Sequence, residues 1–200
     1  DSSSQYTGDV ANFTWDTVNS KITNVSAQQS MILTKTNYSG HDIVIDTVLS
    51  VDTVTDTHYS GIIIANSVSE VYSTLNGYRV GIRNPPTGNR ALYIHKMING
   101  VTTAIVAGVE FTESQLTLGT PYRLVISLTA EGVFSASLYL NSTVVTVRGS
   151  DATYANRFVG ITRDGAGNDS YYELTVKPSI SYADDFSTDT TERYQPVLGT

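Results

Sequence analysis

The sequence predicts an all-β protein built from two packed antiparallel sheets. Thr, Val, Ile and Tyr fill short runs, and Gly, Asn, Asp and Ser separate these runs. Within the runs, apolar and polar residues alternate with a period of two, as in a strand with one buried face. No segment shows the three- and four-residue apolar spacing of an amphipathic helix. About a dozen short strands joined by tight turns favour a two-sheet sandwich.

The strands of the first half follow from alternation and from turn residues. The segment 61–65 is apolar on both faces and is therefore expected to be a central, buried strand. Asn99-Gly100 is a strong two-residue turn signal. The predicted strands lie at 42–50, 61–65, 77–83, 90–98 and 101–107.

The second half contains the clearest alternation. Leu124, Ile126 and Leu128 are expected to face inward on one strand, and the turn at Glu131-Gly132 returns the chain as a hairpin. The predicted strands lie at 121–129, 133–140, 143–148 and 170–177. In the last strand, Tyr172, Leu174 and Val176 are expected inward and Tyr171, Glu173, Thr175 and Lys177 outward.

Composition excludes several classes of function. The chain has 200 residues, enough for one domain with a substantial core, and no cysteine, which excludes a disulfide scaffold and a cysteine nucleophile. Ser and Thr make up 49 positions, whereas Lys makes up only 4. A net charge of −7 argues against a nucleic-acid partner. No apolar run approaches the roughly 20 residues of a membrane-spanning helix.

Four pieces of the sequence together resemble the concanavalin A-like jelly rolls, in particular the laminin G-like modules of bacterial and phage surface proteins. The pieces are 59–65, then 76–83 with 91–96, then 118–124, and finally 158–163 before a closing strand. The resemblance implies a two-sheet antiparallel jelly-roll sandwich. It leaves function open, since such modules include sugar-binding, adhesive and structural members and some glycosidases.

The two ends of the chain resemble each other. Residues 1–6, Asp-Ser-Ser-Ser-Gln-Tyr, match residues 189–194, Asp-Thr-Thr-Glu-Arg-Tyr. The second copy follows Ala183, Asp184, Asp185, Phe186 and Ser187. In the modules that the chain resembles, such a segment opens the domain and pairs near the closing strand. We therefore expect a jelly-roll domain at 1–178 that lacks its own first strand, and a separate C-terminal segment at 179–200.

The C-terminal segment has several interpretations. It begins the next repeat of a tandem array, or it inserts 183–187 into the next identical subunit as an assembly strand. Such head-to-tail pairing would generate a fibre or a ring of copies of the chain. The alternatives are that the segment folds back onto its own domain, or that the match is a coincidence of Ser- and Thr-rich sequence.

The sequence gives no support for catalysis. Glycosidases of this fold need paired carboxylates on one concave strand, and no such pair occurs among the six Glu residues. Glu110 and Glu113 lie in a segment that is predicted to be a loop. Their carboxylates are therefore expected to be exposed to solvent. The three His residues have no metal-ligand spacing. We expect a protein that is not an enzyme.

A calcium site is one hypothesis for the loop before the last strand. Asp164, Asn168 and Asp169 supply oxygen atoms there, and the glycines between them allow carbonyl groups to turn inward. The alternative is a polar turn that uses Asp, Asn and Gly for backbone geometry alone.

A glycan site is a second hypothesis, on the hairpin 77–98. Arg79 and Arg83 share one face of its first strand, and Tyr93 and His95 share one face of its second. Aromatic rings beside planar polar groups can bind sugars. Cross-strand Tyr–Arg pairs also stabilise a sheet without any ligand, so an ordinary solvent-facing sheet remains the alternative.

The sequence thus favours a non-catalytic structural or adhesive module of a repetitive assembly outside the cell or on a virion. Such an assembly would be a filament, an appendage or a tandem adhesin. The C-terminal strand would link each module to the next. The alternative is a carbohydrate-binding module that recognises a surface glycan.

Overall fold

The computed structural model describes residues 3–26, 28–52, 59–85, 87–165 and 168–178. The expected assembly strand at 183–187, with the rest of 179–200, lies outside the described residues. That expectation, and the domain boundary at 178, therefore remain predictions.

The described residues form two antiparallel sheets, as the sequence predicts. The eight-stranded sheet contains, in spatial order, β1 (Tyr6–Gly8), β4 (Ser30–Asn37), β14 (Phe158–Asp164), β6 (Tyr59–Ala65), β7 (Gly77–Arg83), β8 (Arg90–Ile98) and β10 (Val109–Phe111), with β9 (Val101–Ala104) also paired to β8. The seven-stranded sheet contains, in spatial order, β13 (Val144–Ser150), β12 (Val133–Tyr139), β11 (Pro121–Leu128), β5 (Ile43–Ser50), β15 (Ser170–Pro178), β3 (Lys21–Asn24) and β2 (Phe13–Asp16). The only helical pieces among these residues are single 3-10 turns, and no helix there is long and apolar enough to cross a membrane.

The main core lies between the two sheets. Leu124, Ile126 and Phe134 from the seven-stranded sheet are buried there with Ile62 and Val80 from the eight-stranded sheet. The alternation that predicts β11 and β12 is confirmed residue by residue, because inward positions are buried and intervening positions are more exposed. A sandwich of this kind results from strands that each have one apolar face.

Strict alternation fails in β15, where the prediction for Tyr171 is wrong. The register between β15 and β5 shifts between Tyr171 and Glu173, which indicates a β-bulge. Tyr171 is therefore buried in the core, and its hydroxyl donates to the Thr162 carbonyl at 2.6 Å. Beyond the bulge, Leu174 and Val176 pack against the core as predicted.

The eight-stranded sheet has a second apolar cluster on its outer face, away from the main core. Met31, Ile63 and Met97 point outward there, and the segment 66–76 covers them with Tyr72 and Leu75. This segment covers one part of the outer face. The adjoining part, on β6, β7 and β8, carries the residues of the hypothetical glycan site.

An ion pair is buried at one end of the sandwich interior. Arg163 Nε lies 3.3 Å from Asp169 Oδ2, and both side chains are 0% exposed. The Asp169 carboxylate also accepts from the Ser60 hydroxyl and from the backbone N–H of Asp52 at 3.0 Å. These donors compensate the carboxylate for its loss of water.

Candidate functional site

The four residues of the hypothetical glycan site lie on one face of neighbouring strands. Arg79 on β7 is opposite His95 on β8, and Tyr93 is opposite Gly81, two residues from Arg83. Tyr59 on β6 is opposite Arg83 and joins the same face. A Cβ atom on Gly81 would collide with the backbone of β6, so only glycine permits this close approach of β6 and β7.

Arg79 lies beneath the site rather than on its surface. Its side chain is 2% exposed, and its guanidinium pairs with the Asp164 carboxylate at 3.0 Å and donates to the Tyr72 hydroxyl. The guanidinium also lies over the Tyr59 ring, 4.3 Å from the ring centroid. Arg79 therefore supports Tyr59 from below and is not available to contact a ligand directly. The covering segment places Tyr72 against Arg79, so this candidate glycan-binding residue is buried, and its assignment to the site stays a prediction.

Three aromatic side chains pack together above Arg79. The rings of Tyr93 and His95 are stacked with centroids 4.2 Å apart, and the Tyr59 ring meets Tyr93 edge-on at 5.2 Å. Tyr93 is 2% exposed, and its hydroxyl has no hydrogen-bond partner among the described residues. Burial raises the pKa of this hydroxyl, so it stays protonated and can donate.

The surroundings of His95 lower its pKa and favour the uncharged imidazole at physiological pH. Burial, and then the positive charges of Arg79 and Arg83, lower its pKa to about 4. Its Nδ1 atom is buried, and no described residue gives it a hydrogen-bond partner. Two buried polar atoms of this stacked pair, Tyr93 Oη and His95 Nδ1, thus lack partners in the described part of the chain. Such atoms are uncommon in folded proteins.

These side chains line a small cavity of about 190 Å³, which is bounded by Tyr59, Arg83, Ala91, Tyr93, His95, Gly108 and Glu110. The Arg83 guanidinium is exposed at the rim. Glu110 is also exposed, and its carboxylate accepts from Asn89 Nδ2 at 2.7 Å. The cavity is below the roughly 300 Å³ at the lower end of sites for drug-sized ligands. The cavity therefore has room for one small chemical group, about the size of a single sugar ring.

Sequence reasoning missed Glu110 as part of this cavity. The residue lies on β10, which pairs with β8 and places Glu110 opposite Ala91. In the sequence, the only indication of this strand is a short Val-Glu-Phe run after Gly108. Three residues show too little alternation to identify a strand. Alternation in the sequence also predicts that Tyr139 and Arg163 face outward. Tyr139 lies on the outer face of the other sheet beside Arg123, whereas Arg163 lies in the interior, so the prediction for Arg163 is wrong.

The residues of the hypothetical calcium site do not converge. Asp164 lies on the outer face, where it pairs with Arg79 and accepts from Gln29 Nε2 at 2.7 Å. Asp169 lies in the interior and pairs with Arg163. Asn168 lies between them, but two carboxylates directed to opposite sides of a sheet cannot bind one ion. Across the described ranges, no group of three or more His, Asp or Glu side chains could hold a metal.

Comparison with known proteins identifies the fold. The chain is similar to the carbohydrate-binding module CBM66 from Bacillus subtilis, with a TM-score of 0.61, 18% identity, and coverage of 86% of this chain and 95% of that one. It is also similar to the VIP36 exoplasmic/lumenal domain in its Ca²⁺/Man3GlcNAc-bound form, with a TM-score of 0.58, 11% identity, and coverage of 92% and 88%. A third similar structure is Bacteroides ovatus Xyloglucan PUL GH43B, with a TM-score of 0.65 and 10% identity over 88% of this chain but only 37% of that one.

The chain thus has the concanavalin A-like jelly-roll fold, which it shares with the CBM66 carbohydrate-binding module and the VIP36 exoplasmic/lumenal domain. At these identities the similarity establishes the fold alone. No family model matches the sequence, and no curated protein matches it at a significant level.

Proposed function

We propose that this chain is a non-catalytic carbohydrate-binding module whose outer-face cavity binds one terminal sugar residue of a glycan. The observation that carries the proposal is a small cavity bounded by the aromatic residues Tyr59, Tyr93 and His95, with the exposed Arg83 and Glu110 at its rim. The Tyr93 hydroxyl and His95 Nδ1 are also without a hydrogen-bond partner among the described residues. The carbohydrate-binding modules and lectin domains among the similar structures support the same reading.

The cavity offers each interaction that a sugar ring requires. The partly exposed ring of Tyr59, supported from below by Arg79, gives an apolar surface for the C–H groups of a pyranose or furanose. Tyr93 Oη can donate to one sugar hydroxyl, and His95 Nδ1 can accept from another. Arg83 and Glu110 at the rim add a charged donor and acceptor.

The cavity is built for binding rather than hydrolysis. Glu110 is the only carboxylate among its lining residues in the described part of the chain. Glycoside hydrolysis ordinarily requires two carboxyl groups about 5–9.5 Å apart. We therefore propose that the bound sugar is released unchanged. Such a module would work where glycans are displayed, at a cell surface or on a virion.

A glycan array tests the proposal with two matched variants. Ala91→Tyr should fill the cavity without removing any polar group, and we expect it to weaken binding at least about tenfold. Tyr139→Ala removes a partly exposed tyrosine on the other sheet and should bind like the wild type. Equal binding by wild type and Ala91→Tyr, a flat array, or release of shortened glycan would each contradict the proposal.

The pH dependence of binding tests the role of His95. Because its pKa is lowered to about 4 from an ordinary 6.5, the imidazole should remain a neutral acceptor throughout the neutral and mildly acidic range. We expect a constant affinity from pH 8 down to about 5, and a loss only as the pH falls toward about 4. Calorimetric titration in matched buffers measures this. A transition centred near pH 6.5 would show an ordinary, exposed histidine instead.

A further inference from the structure

The outer-face cavity lies at one end of a row of residues that crosses the eight-stranded sheet. Residues directly opposite each other on neighbouring strands carry their side chains on the same face. The pairing therefore places five outward residues in one line across β14, β6, β7, β8 and β10: Asp164, Tyr59, Arg83, Ala91 and Glu110. Neighbouring strands lie about 4.8 Å apart, so the row is about 19 Å long. This is longer than one sugar ring, and the cavity occupies only the part from Tyr59 to Glu110.

A second pocket lies at the other end of the row, beyond Tyr59. Its volume is about 550 Å³, and most of its lining is polar: Asp9, Gln28, Gln29, Tyr72, Ser73 and Asp164 contribute to it. Hydroxyl, amide and carboxylate groups of this kind form hydrogen bonds with the hydroxyl groups of sugars. Asp164 belongs both to the row and to this pocket, so the pocket and the cavity lie on the same face, on either side of Tyr59.

One buried arginine fixes the boundary between the cavity and the second pocket. The Arg79 guanidinium pairs with the Asp164 carboxylate at 3.0 Å and lies over the Tyr59 ring, 4.3 Å from its centroid. The Tyr72 hydroxyl donates to the same carboxylate oxygen at 3.0 Å, and Gln29 Nε2 donates to the other oxygen at 2.7 Å. These side chains are therefore held in place before a ligand arrives, which reduces the cost of ordering them on binding.

We propose that the second pocket binds the inner part of the same glycan, so that the chain recognises an uncharged oligosaccharide that lies across the strands. This inference rests on the proposed sugar binding in the outer-face cavity. The terminal sugar residue occupies that cavity, the next residue crosses the Tyr59 ring, and a further residue enters the pocket beside Asp164. Tyr59 is only partly buried, so the exposed part of its ring can pack against the C–H groups of the residue that crosses it.

The charge of the second pocket disfavours acidic sugars. Its charged lining residues are Asp9 and Asp164, and no Lys, Arg or His lines it in the described part of the chain. The charge of Arg79 beneath it already pairs with Asp164. A sugar carboxylate or sulfate would therefore meet Asp9 without a free cation to bind it. We expect a neutral oligosaccharide to bind at least about tenfold more tightly than one of equal length whose inner residues are uronates, and equal affinities would contradict the assignment of an uncharged ligand.

Calorimetric titration of the full chain tests the second pocket, with the neutral glycan that binds best on the array offered as its terminal monosaccharide, disaccharide and trisaccharide. We expect the trisaccharide to bind at least about tenfold more tightly than the monosaccharide. Ser73→Trp puts a large ring at an exposed lining residue of the second pocket, so it should remove this gain and leave the affinity for the monosaccharide unchanged. The matched control Ser142→Trp puts the same ring in the exposed turn between β12 and β13 and should bind both sugars like the wild type.

Gln29→Ala tests the same pocket by a smaller change. It removes the amide that lines the pocket and donates to Asp164, so we expect trisaccharide binding to weaken about fivefold and monosaccharide binding to stay the same. A wild type that bound both sugars equally, or variants at Ser73 and Gln29 that kept the full gain, would overturn the second pocket while leaving the outer-face cavity as a sugar site. If no sugar of the series bound, the proposed function and this inference would both be wrong.

Discussion

Replacing Asp169 by Asn should lower the free energy of unfolding by about 3–5 kcal/mol, the largest single effect we expect. The substitution keeps the volume of the side chain but removes its charge. Arg163, with 0% of its side chain exposed, would then be a buried cation that faces a neutral amide in place of the Asp169 carboxylate. Ser60 and the backbone N–H of Asp52 would compete for a weaker acceptor. Urea unfolding followed by circular dichroism measures the change.

Asp46→Asn is the matched control. Asp46 also pairs with an arginine, Arg123, at 2.6 Å, but the two side chains are 35% and 53% exposed. Water and salt screen such a pair, so its loss should change stability far less than the loss of the buried pair. If the two variants were equally stable, the Arg163–Asp169 pair could not be the buried contact described here.

Tyr93→Phe should change stability and affinity in opposite directions. In the free protein the Tyr93 hydroxyl is buried with no partner among the described residues, so removing it should raise the free energy of unfolding by about 1 kcal/mol. In the complex the same hydroxyl donates to the sugar, so its removal should weaken binding about tenfold. Thermal unfolding and calorimetric titration of the same preparation measure both effects.

Opposite effects on the free energy of unfolding and on sugar affinity distinguish a binding residue from a structural one. If the hydroxyl of a tyrosine stabilised the fold, its replacement by phenylalanine would lower the stability of the protein. Tyr78 provides the comparison, because its hydroxyl lies 2.9 Å from the Asp151 carbonyl oxygen. We expect Tyr78→Phe to be destabilising and without effect on sugar affinity. A Tyr93→Phe protein with reduced stability and unchanged affinity would contradict the assigned role.

The sequence predicts the long strands because one physical rule dominates in them. In β11 and β12 each inward residue contributes to a single apolar core, so a period of two is visible in the sequence. Short strands such as β1 and β10 carry three residues each and show no period. The bulge at Tyr172 is likewise invisible, since its cause lies in the pairing of β15 with β5.

The site could be predicted only in part, for a related reason. Alternation correctly places Arg79 and Arg83 on one face, but Arg79 is 2% exposed while Arg83 is exposed. The difference depends on the segment 66–76, whose Tyr72 covers Arg79. Contacts between distant parts of the chain leave no local pattern. The same holds for Asp164 and Asp169, which are close in sequence and directed to opposite faces.

The most direct test of sugar binding in the outer-face cavity is a ¹⁵N NMR titration of the full chain with the best sugar from the array. We expect the largest chemical-shift changes at Tyr59, Arg83, Gly108 and Glu110 and along 91–95, and we expect Ala91→Tyr to abolish them. Shift changes centred on β15 or on the outer face of the seven-stranded sheet, or no shift changes at all, would contradict sugar binding in the outer-face cavity.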